Sequence, residues 1–477
     1  MAFTRIILWL GNTFILCAAL MALTAICALG FVEIPQAVTF GGLALVMGVL
    51  GVLLGLITAK TPGRESNSDA LIFLLLFWIV VPVVTAIPYV ANGATLPFLT
   101  AYFESVAALT TTGASTLVPD DLPRSILIWR SILQWFGGVS AATFAVVILA
   151  ALNLAGTGVH RSLFFTLKKG ELFERLLDIG RLIAAIYAGV SFISMMVLVI
   201  SGTPFFDAFC LSLSAVSTGG LTPRGEPISQ YVNHFGAIML ALTCICGTFN
   251  IAVLWDFFRI RNKAAFIGIF RNVEHRAFIV IAFLLFCTTL IFAGFDHGVT
   301  AGFEAVFFAT STGFDYDIIG VDLLPPAVLI AIALIGGSAL STAGGVKLIR
   351  MLLLFRHLST ELARLTHPSR IVPVTFRGQI LPDRAFLSIW MYFFGYTLVF
   401  AVSILALGAV GLDFETATLA GAAALSNMGP LLETGVSTLT YSDFLPNQLT
   451  LLSVIMLIGR IEVLAILAVF SRQLWLR

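Results

Sequence analysis

The sequence predicts an all-α polytopic membrane protein: four pseudo-symmetric helix–pore loop–helix repeats around one central pore, plus two N-terminal transmembrane helices. Three observations lead there. The 477 residues are 59% hydrophobic and 11% charged, with a mean hydropathy of +1.04; a soluble chain carries roughly 25% charged residues. Apolar runs long enough to cross a bilayer recur along the whole length. Four short segments between such runs end alike, in small hydroxyl residues and a glycine. They read Thr110-Thr111-Thr112-Gly113, Val216-Ser217-Thr218-Gly219-Gly220, Thr310-Ser311-Thr312-Gly313 and, more loosely, Ser426-Asn427-Met428-Gly429-Pro430.

The first two spans fall near 6–32 and 37–59. The first exceeds the h-region of about 7–15 residues found in a signal peptide, so both are read as retained helices. Spans then pair as 70–93 with 125–156, 178–201 with 235–258, 276–296 with 327–356, and 385–411 with 446–472. Each pair encloses one glycine-bearing segment. The division is therefore 1–66 for the leading helices and 67–160, 161–262, 263–368 and 369–477 for the repeats. Counting back by one offset from Gly113, Gly219, Gly313 and Gly429 gives Phe103, Phe209, Phe303 and Leu419, a bulky apolar anchor in register. Each segment is too short to span. It is expected to enter as a half helix and return extended, a backbone tolerated only when buried in protein or lining water.

Orientation follows from the basic residues. With the N-terminus in the cytoplasm, Lys60, Arg64, Arg161, Lys168, Lys169, Arg259, Arg261, Lys263, Arg271, Arg356, Arg364 and Arg377 among others fall inside, and only Arg124, Arg130 and Arg224 outside. The outer loops carry Asp120, Asp121, Glu226, Asp315, Asp317, Asp322 and Asp443. Such acids either concentrate cations at the mouth or are ordinary solvated loop residues.

Four copies of one loop can ring a dehydrated cation with oxygens. The expected ion-binding set is Thr111, Thr112, Gly113, Ser217, Thr218, Gly219, Ser311, Thr312, Gly313, Asn427, Met428 and Gly429. Glycine permits the torsions that aim successive carbonyls at one axis. The set contains no carboxylate, whereas divalent sites usually recruit Asp or Glu. Neutral oxygens favour K⁺, held at Thr111, Thr112, Ser217, Thr218, Ser311, Thr312, Asn427 and Met428, without by themselves excluding Na⁺. Around this set, Glu104 and Glu304 are expected to bond loop amides, Arg130 and Gln134 to tie a helix to its segment, and Asn250 to hold a bend.

Further along, Gly336-Gly337-Ser338-Ala339-Leu340-Ser341-Thr342-Ala343-Gly344-Gly345 should break the eighth span in mid-membrane; close packing of small residues is the alternative. Arg460 sits inside the last span with Glu462 nearby. A charge at that depth marks function by default, or forms an ion pair with Glu462. Lys347 serves similarly or snorkels to the inner surface. The net charge of +1 gives no reason to expect nucleic-acid binding. The six cysteines lie in apolar runs without metal or disulfide spacing. No nucleophile–base or metal-protease motif appears, so the chain is not expected to be an enzyme. It contains no nucleotide fingerprint, and no organic cofactor is expected.

These residues resemble the Trk/Ktr/HKT superfamily of K⁺ transporters, most of all the bacterial TrkH-type subunit, over nearly the whole chain. The resemblance rests on Leu109-Thr110-Thr111-Thr112-Gly113-Ala114, Trp129-Arg130-Ser131-Ile132-Leu133-Gln134-Trp135-Phe136-Gly137-Gly138, Ser341-Thr342-Ala343-Gly344-Gly345-Val346-Lys347 and Ser426-Asn427-Met428-Gly429-Pro430. It implies K⁺-selective uptake across the bacterial inner membrane, with glycine in the first segment going with K⁺ over Na⁺. It implies that residues 336–345 form an intramembrane gating loop, with Leu340 where relatives often have glycine, and that Arg460 projects a positive barrier. It also implies a homodimer in membrane lipid and a TrkA-like cytosolic nucleotide-binding regulatory ring. The basic inner segments around His160 to Arg175 and Arg259 to Arg276 either dock that ring or merely obey the positive-inside rule. A Na⁺- or H⁺-coupled K⁺ symporter is the alternative, disfavoured because the four repeats share one orientation where symporters show inverted pairs.

Overall fold

The computed structural model describes residues 3–58, 67–91, 96–151, 172–260, 268–317, 324–367, 375–376, 379–380, 383–433 and 439–461. It is helical apart from a two-residue antiparallel pair, Thr375–Phe376 with Gln379–Ile380. Among the described residues six helices are long and apolar enough to cross a membrane. The chain is a multi-pass membrane protein.

Helices α1 (Phe3–Gly30) and α2 (Ile34–Thr58) form the leading hairpin. They meet through glycine: a Cβ on Gly51 would lie 2.6 Å from the Gly11 carbonyl oxygen. The hairpin is fastened to the first repeat at its turn. Glu33 accepts the Arg124 and Ser125 backbone N–H groups at 2.8 and 3.0 Å, an acid on the N-terminus of α5.

The first repeat is α3 (Asn67–Ala91), half helix α4 (Phe98–Leu109) and α5 (Arg124–Ala151). The second is α6 (Leu172–Ile200), half helix α7 (Phe205–Val216), α8 (His234–Thr248) and α9 (Ile251–Ile260). The third is α10 (Val273–Ala293), half helix α11 (Gly298–Ala309), α12 (Pro326–Ile335) and α13 (Leu348–Thr366). The fourth is α14 (Asp383–Ala409), half helix α15 (Phe414–Leu425) and α16 (Pro446–Ile461). The spans over 235–258 and 327–356 are each two helices, with a full break where a bend is expected in the first and the expected mid-membrane break in the second. The first breaks at Asn250, whose side-chain oxygen accepts the Ala252 N–H at 3.1 Å. The second breaks at the glycine-rich stretch. The far ends of the predicted spans 125–156 and 446–472 lie outside the described residues, as does Glu462.

All four half helices are 12 residues long. In three repeats a glycine of the following helix sits against the last carbonyl of the half helix. A Cβ on Gly137, Gly247 or Gly459 would overlap the Leu109, Val216 or Leu425 carbonyl, respectively. In the third repeat the inner helix stops early, and Thr248 reaches across to donate its hydroxyl to the Thr310 carbonyl at 3.2 Å. Replacing Gly137, Gly247 or Gly459 by Ala should each destabilise the protein by about 1–3 kcal/mol, the range for overpacking. Gly189→Ala, with no atom within 4 Å of the added methyl, should leave the detergent melting temperature unchanged or raised. A scan in which all four variants melt alike would contradict this packing.

Candidate functional site

The four half helices end in one geometry. Thr110, Ser217, Thr310 and Ser426 stand just past the last turn with φ between −84° and −77° and ψ between −3° and 1°. Each hydroxyl turns back onto its own helix, donating to Val106 O (2.7 Å), Leu213 O (2.8 Å), Phe307 O (3.0 Å) and Ala422 O (2.7 Å). The next residue is left-handed every time: Thr111 at φ 54°, Thr218 at 51°, Ser311 at 58° and Asn427 at 52°. For a residue with a Cβ this costs on the order of 1–2 kcal/mol, and it is rarest for β-branched threonine. Two residues further, Gly113, Gly220 and Gly313 are left-handed again, at 78°, 80° and 66°.

This geometry corrects the register of the second segment. Counting from the helix end, the partner of Gly113 is Gly220, not Gly219, and the partner of Phe103 is Cys210, not Phe209. Gly219 takes the place of Thr112, Thr312 and Met428. The space a side chain would occupy there belongs to Gln134: a Cβ on Gly219 would overlap its amide, and Gln134 Nε2 donates to the Gly219 carbonyl at 2.6 Å. Gln134 thus ties its helix to the second segment, where the expected tie is to the first. Arg130 lies buried, with its Nε and Nη1 making no hydrogen bond among the described residues.

The segments touch in cyclic order. A Cβ on Gly113 would overlap the Gly219 carbonyl, and one on Gly220 the Thr312 carbonyl. A Cβ on Gly313 would lie 2.7 Å from Pro430. The Gly429 N–H donates to the Thr112 carbonyl at 2.5 Å. First touches second, second third, third fourth, and fourth first: the four form a closed ring.

Several of the predicted side-chain oxygens are engaged within the protein. Thr112 Oγ1 lies 2.7 Å from Thr110 Oγ1 and accepts from Asn427 Nδ2 at 3.1 Å. Thr312 Oγ1 lies 2.9 Å from Thr310 Oγ1. The Ser217 hydroxyl is occupied by its own helix, and Met428 has no side-chain oxygen. Thr111 Oγ1, Ser311 Oγ and Asn427 Oδ1 are buried without a hydrogen-bond partner among the described residues.

On one face of the ring opens a cavity of about 300 Å³ lined by Gly113, Gly220, Gly313 and Pro430, one residue from each segment. Its walls carry Glu226, Glu304, Asp315, Asp317 and Glu433 against Arg130 and Arg224. Arg224 is engaged by Asp207 at 2.6 Å and lies over the Tyr231 ring. Glu104 and Glu304 brace the loops above the segments, as expected: Glu104 accepts the Thr116 N–H at 2.6 Å, and Glu304 the Tyr316 N–H at 2.7 Å.

Against the opposite face lies the stretch 336–347. It leaves α12 at Gly336 (φ 72°) and enters α13 at Lys347 (φ 79°), with residues 337–347 buried. Thr342 Oγ1 lies 3.1 Å from Thr218 Oγ1 in the second segment, and Gly344 packs directly on the Ser426 carbonyl at the fourth. Second and fourth are diagonal members of the ring, so the loop crosses its axis. Three successive loop carbonyls face two cations. Lys347 Nζ donates to Ser341 O at 3.1 Å and to Ala343 O, and Arg460 Nη1 donates to Thr342 O at 2.5 Å. Arg460 Nε and Nη2 have no hydrogen-bond partner among the described residues. The loop also threads the break in the second repeat: Ser338 N donates to Thr248 O (3.3 Å), Thr342 N to Gly247 O (3.4 Å), and Ile251 N to Leu340 O (3.1 Å). Sequence reasoning missed this pairing, because nothing local links residues some 90 positions apart.

A family profile described as "TrkH: Cation transport protein" matches residues 50–475. The chain is 32% identical over 438 residues to the Trk system potassium uptake protein TrkH of Salmonella typhimurium, covering 89% of this chain and 90% of that protein. It is 30% identical over 433 residues to the Trk system potassium uptake protein TrkG of Escherichia coli, covering 88% of each. The crystal structure of the potassium transporter TrkH from Vibrio parahaemolyticus matches with a TM-score of 0.89 at 28% identity, over 100% of both chains. With the profile spanning most of the sequence and relatives aligned nearly end to end, the chain belongs to the TrkH family of cation transport proteins.

Proposed function

We propose that this protein carries out K⁺-selective uptake across the bacterial inner membrane, conducting K⁺ down its electrochemical gradient. The ring of four segments is the selectivity filter, formed by residues 111–113, 217–220, 311–313 and 427–429. The N-terminus is cytoplasmic, the acidic cavity faces outward, and the pore repeats divide at 67–160, 161–262, 263–368 and 369–477. The loop 336–345, with Lys347 and Arg460, is the gate below the filter. A TrkA-like nucleotide-binding ring controls it from the cytosol, and two subunits pair with one pore each. The observation that carries this reading is the closed ring with one left-handed residue at the same place in all four segments.

That geometry has a direct electrostatic use. In three segments φ is positive, then not, then positive. Alternation of this kind reverses every second peptide plane, so that successive carbonyls face one side. Four such ladders replace the water around a K⁺ ion with neutral oxygens. Thr111 Oγ1, Ser311 Oγ and Asn427 Oδ1 add oxygens not committed elsewhere among the described residues. Contact between neighbouring segments keeps the oxygens from closing on the smaller Na⁺. Below, the loop blocks the axis and the Arg460 charge opposes a cation, so conduction requires the loop to leave Thr342 and Ser426. The names of the aligned relatives, potassium uptake proteins, support the same ion.

Two experiments in liposomes containing the purified protein bear on this reading. Gly113→Ser forces a Cβ into the Gly219 carbonyl and should reduce the K⁺/Na⁺ permeability ratio about tenfold, equivalent to about 1.4 kcal/mol of ion discrimination. An unchanged ratio would contradict the filter assignment. The second concerns Glu433, which is exposed to the cavity, but the cavity is concave and walled by protein. Desolvation there, aided by the Glu104 charge and opposed by the Tyr441 amide and Arg130, pushes its carboxyl up to about 7. A raised acid is neutral below that pH and anionic above it. K⁺ uptake at low ionic strength should therefore rise by about twofold as external pH passes upward through 7, and the step should vanish in Glu433→Gln. A step that persists in the variant would remove Glu433 as its source.

A further inference from the structure

The carbonyl side of the loop is held by Lys347 and Arg460. Its other side, at Ala339 and Leu340, is held by two adjacent residues at the start of α10. Glu274 is fully buried, and its Oε2 accepts the Ala339 N–H at 2.8 Å. An acid in the first turn of a helix often caps that helix, but here Asn272 does so by accepting the Glu274 N–H at 2.9 Å. The Glu274 carboxylate reaches the loop instead.

His275 is equally buried and lies flat on Phe249, with ring centroids 3.9 Å apart and planes 8° from parallel. Its Nε2 accepts the Asn250 N–H at 3.2 Å. The proton is therefore on Nδ1, which donates to the Ile269 carbonyl at 2.8 Å. This contact fixes the break between α8 and α9. The residue after Asn250, Ile251, donates its N–H to the Leu340 carbonyl at 3.1 Å. Glu274 thus holds the loop directly, and His275 holds the backbone that grips the neighbouring loop residue.

We propose that Glu274 and His275 are positioning residues for the gate, a latch that holds the loop tip across the axis at rest. This rests on the gating role given to the loop above. The latch works through hydrogen-bond acceptors, so an acceptor without charge should preserve it.

The test is Rb⁺ uptake into liposomes by the full-length protein without a cytosolic partner, with K⁺/Na⁺ competition measured alongside. Glu274→Ala and His275→Phe should each raise uptake roughly three- to tenfold, the population shift one net hydrogen bond controls, with the competition ratio unchanged. Glu274→Gln, whose amide oxygen still accepts from Ala339, should stay within about twofold of wild type. His275→Phe keeps the stack on Phe249 and so carries the test if Glu274→Ala fails to fold. Uptake equal to or below wild type in both disrupting variants would overturn the latch. So would a gain accompanied by lost K⁺/Na⁺ discrimination, which would make the pair a support of the filter. An E274Q variant as leaky as E274A would overturn the hydrogen-bonded form of the proposal. Rb⁺ uptake no faster than in empty liposomes for the wild type and every variant alike would instead contradict the conduction reading on which the latch stands.

Discussion

The whole arrangement depends on one constraint: four stretches of backbone must meet around an axis with a glycine at every junction. Gly113 against Gly219, Gly220 against Thr312, Gly313 against Pro430 and Gly429 against Ala114 leave no space for a β-carbon at any of the four junctions. Strain accompanies this closeness. Thr111, Thr218, Ser311 and Asn427 sit in a backbone region that disfavours them. Such strain persists only where the surroundings over-determine it. Here the half helices supply the restraint, held from behind by glycine-to-carbonyl contacts at Gly137, Gly247 and Gly459. The scaffold is rigid so that the segments can be strained.

The second half of the structure lies against that ring. The broken helix of the third repeat puts a buried loop across the axis, and the break at Asn250 in the second repeat receives it. The loop is short of internal hydrogen bonds and borrows partners on every side. Its carbonyls go to Lys347 and Arg460, and its amides to Thr248, Gly247 and Glu274. A segment held by many separate side-chain contacts is easier to bias than one packed as a helix. On the gating reading proposed above, each contact is a place where a substitution shifts the equilibrium between two arrangements.

Much of this was legible in the sequence. Apolar runs located the spans. The recurrence of hydroxyl-rich segments ending in glycine located the half helices, because both depend on local pattern. The bracing by Glu104 and Glu304 was also readable, since each sits at a telling offset from its segment. The register of the second segment was not, because Gly219 and Gly220 are interchangeable to a count. The helix end, the left-handed φ of Gly220 and the Gln134 side chain, 85 residues away, show which of the two replaces a threonine. The Glu33 cap on α5 and the Glu274 contact with Ala339 were invisible for the same reason: they join positions 92 and 65 residues apart. The roles of the hydroxyls were legible only in part. Four of the six expected to meet the ion, at Thr112, Ser217, Thr218 and Thr312, bond within the protein instead, and that division follows from backbone torsions that composition does not encode.

The most direct measurement is anomalous diffraction from crystals of this protein grown in K⁺ and exchanged into Rb⁺. If the four segments strip and coordinate the ion, anomalous density lies on the ring axis, bounded by Thr111, Thr218, Ser311 and Asn427 and by the residues that follow them. Rb⁺ found only in the outer cavity or elsewhere, with the ring axis empty in well-ordered crystals, would contradict the account.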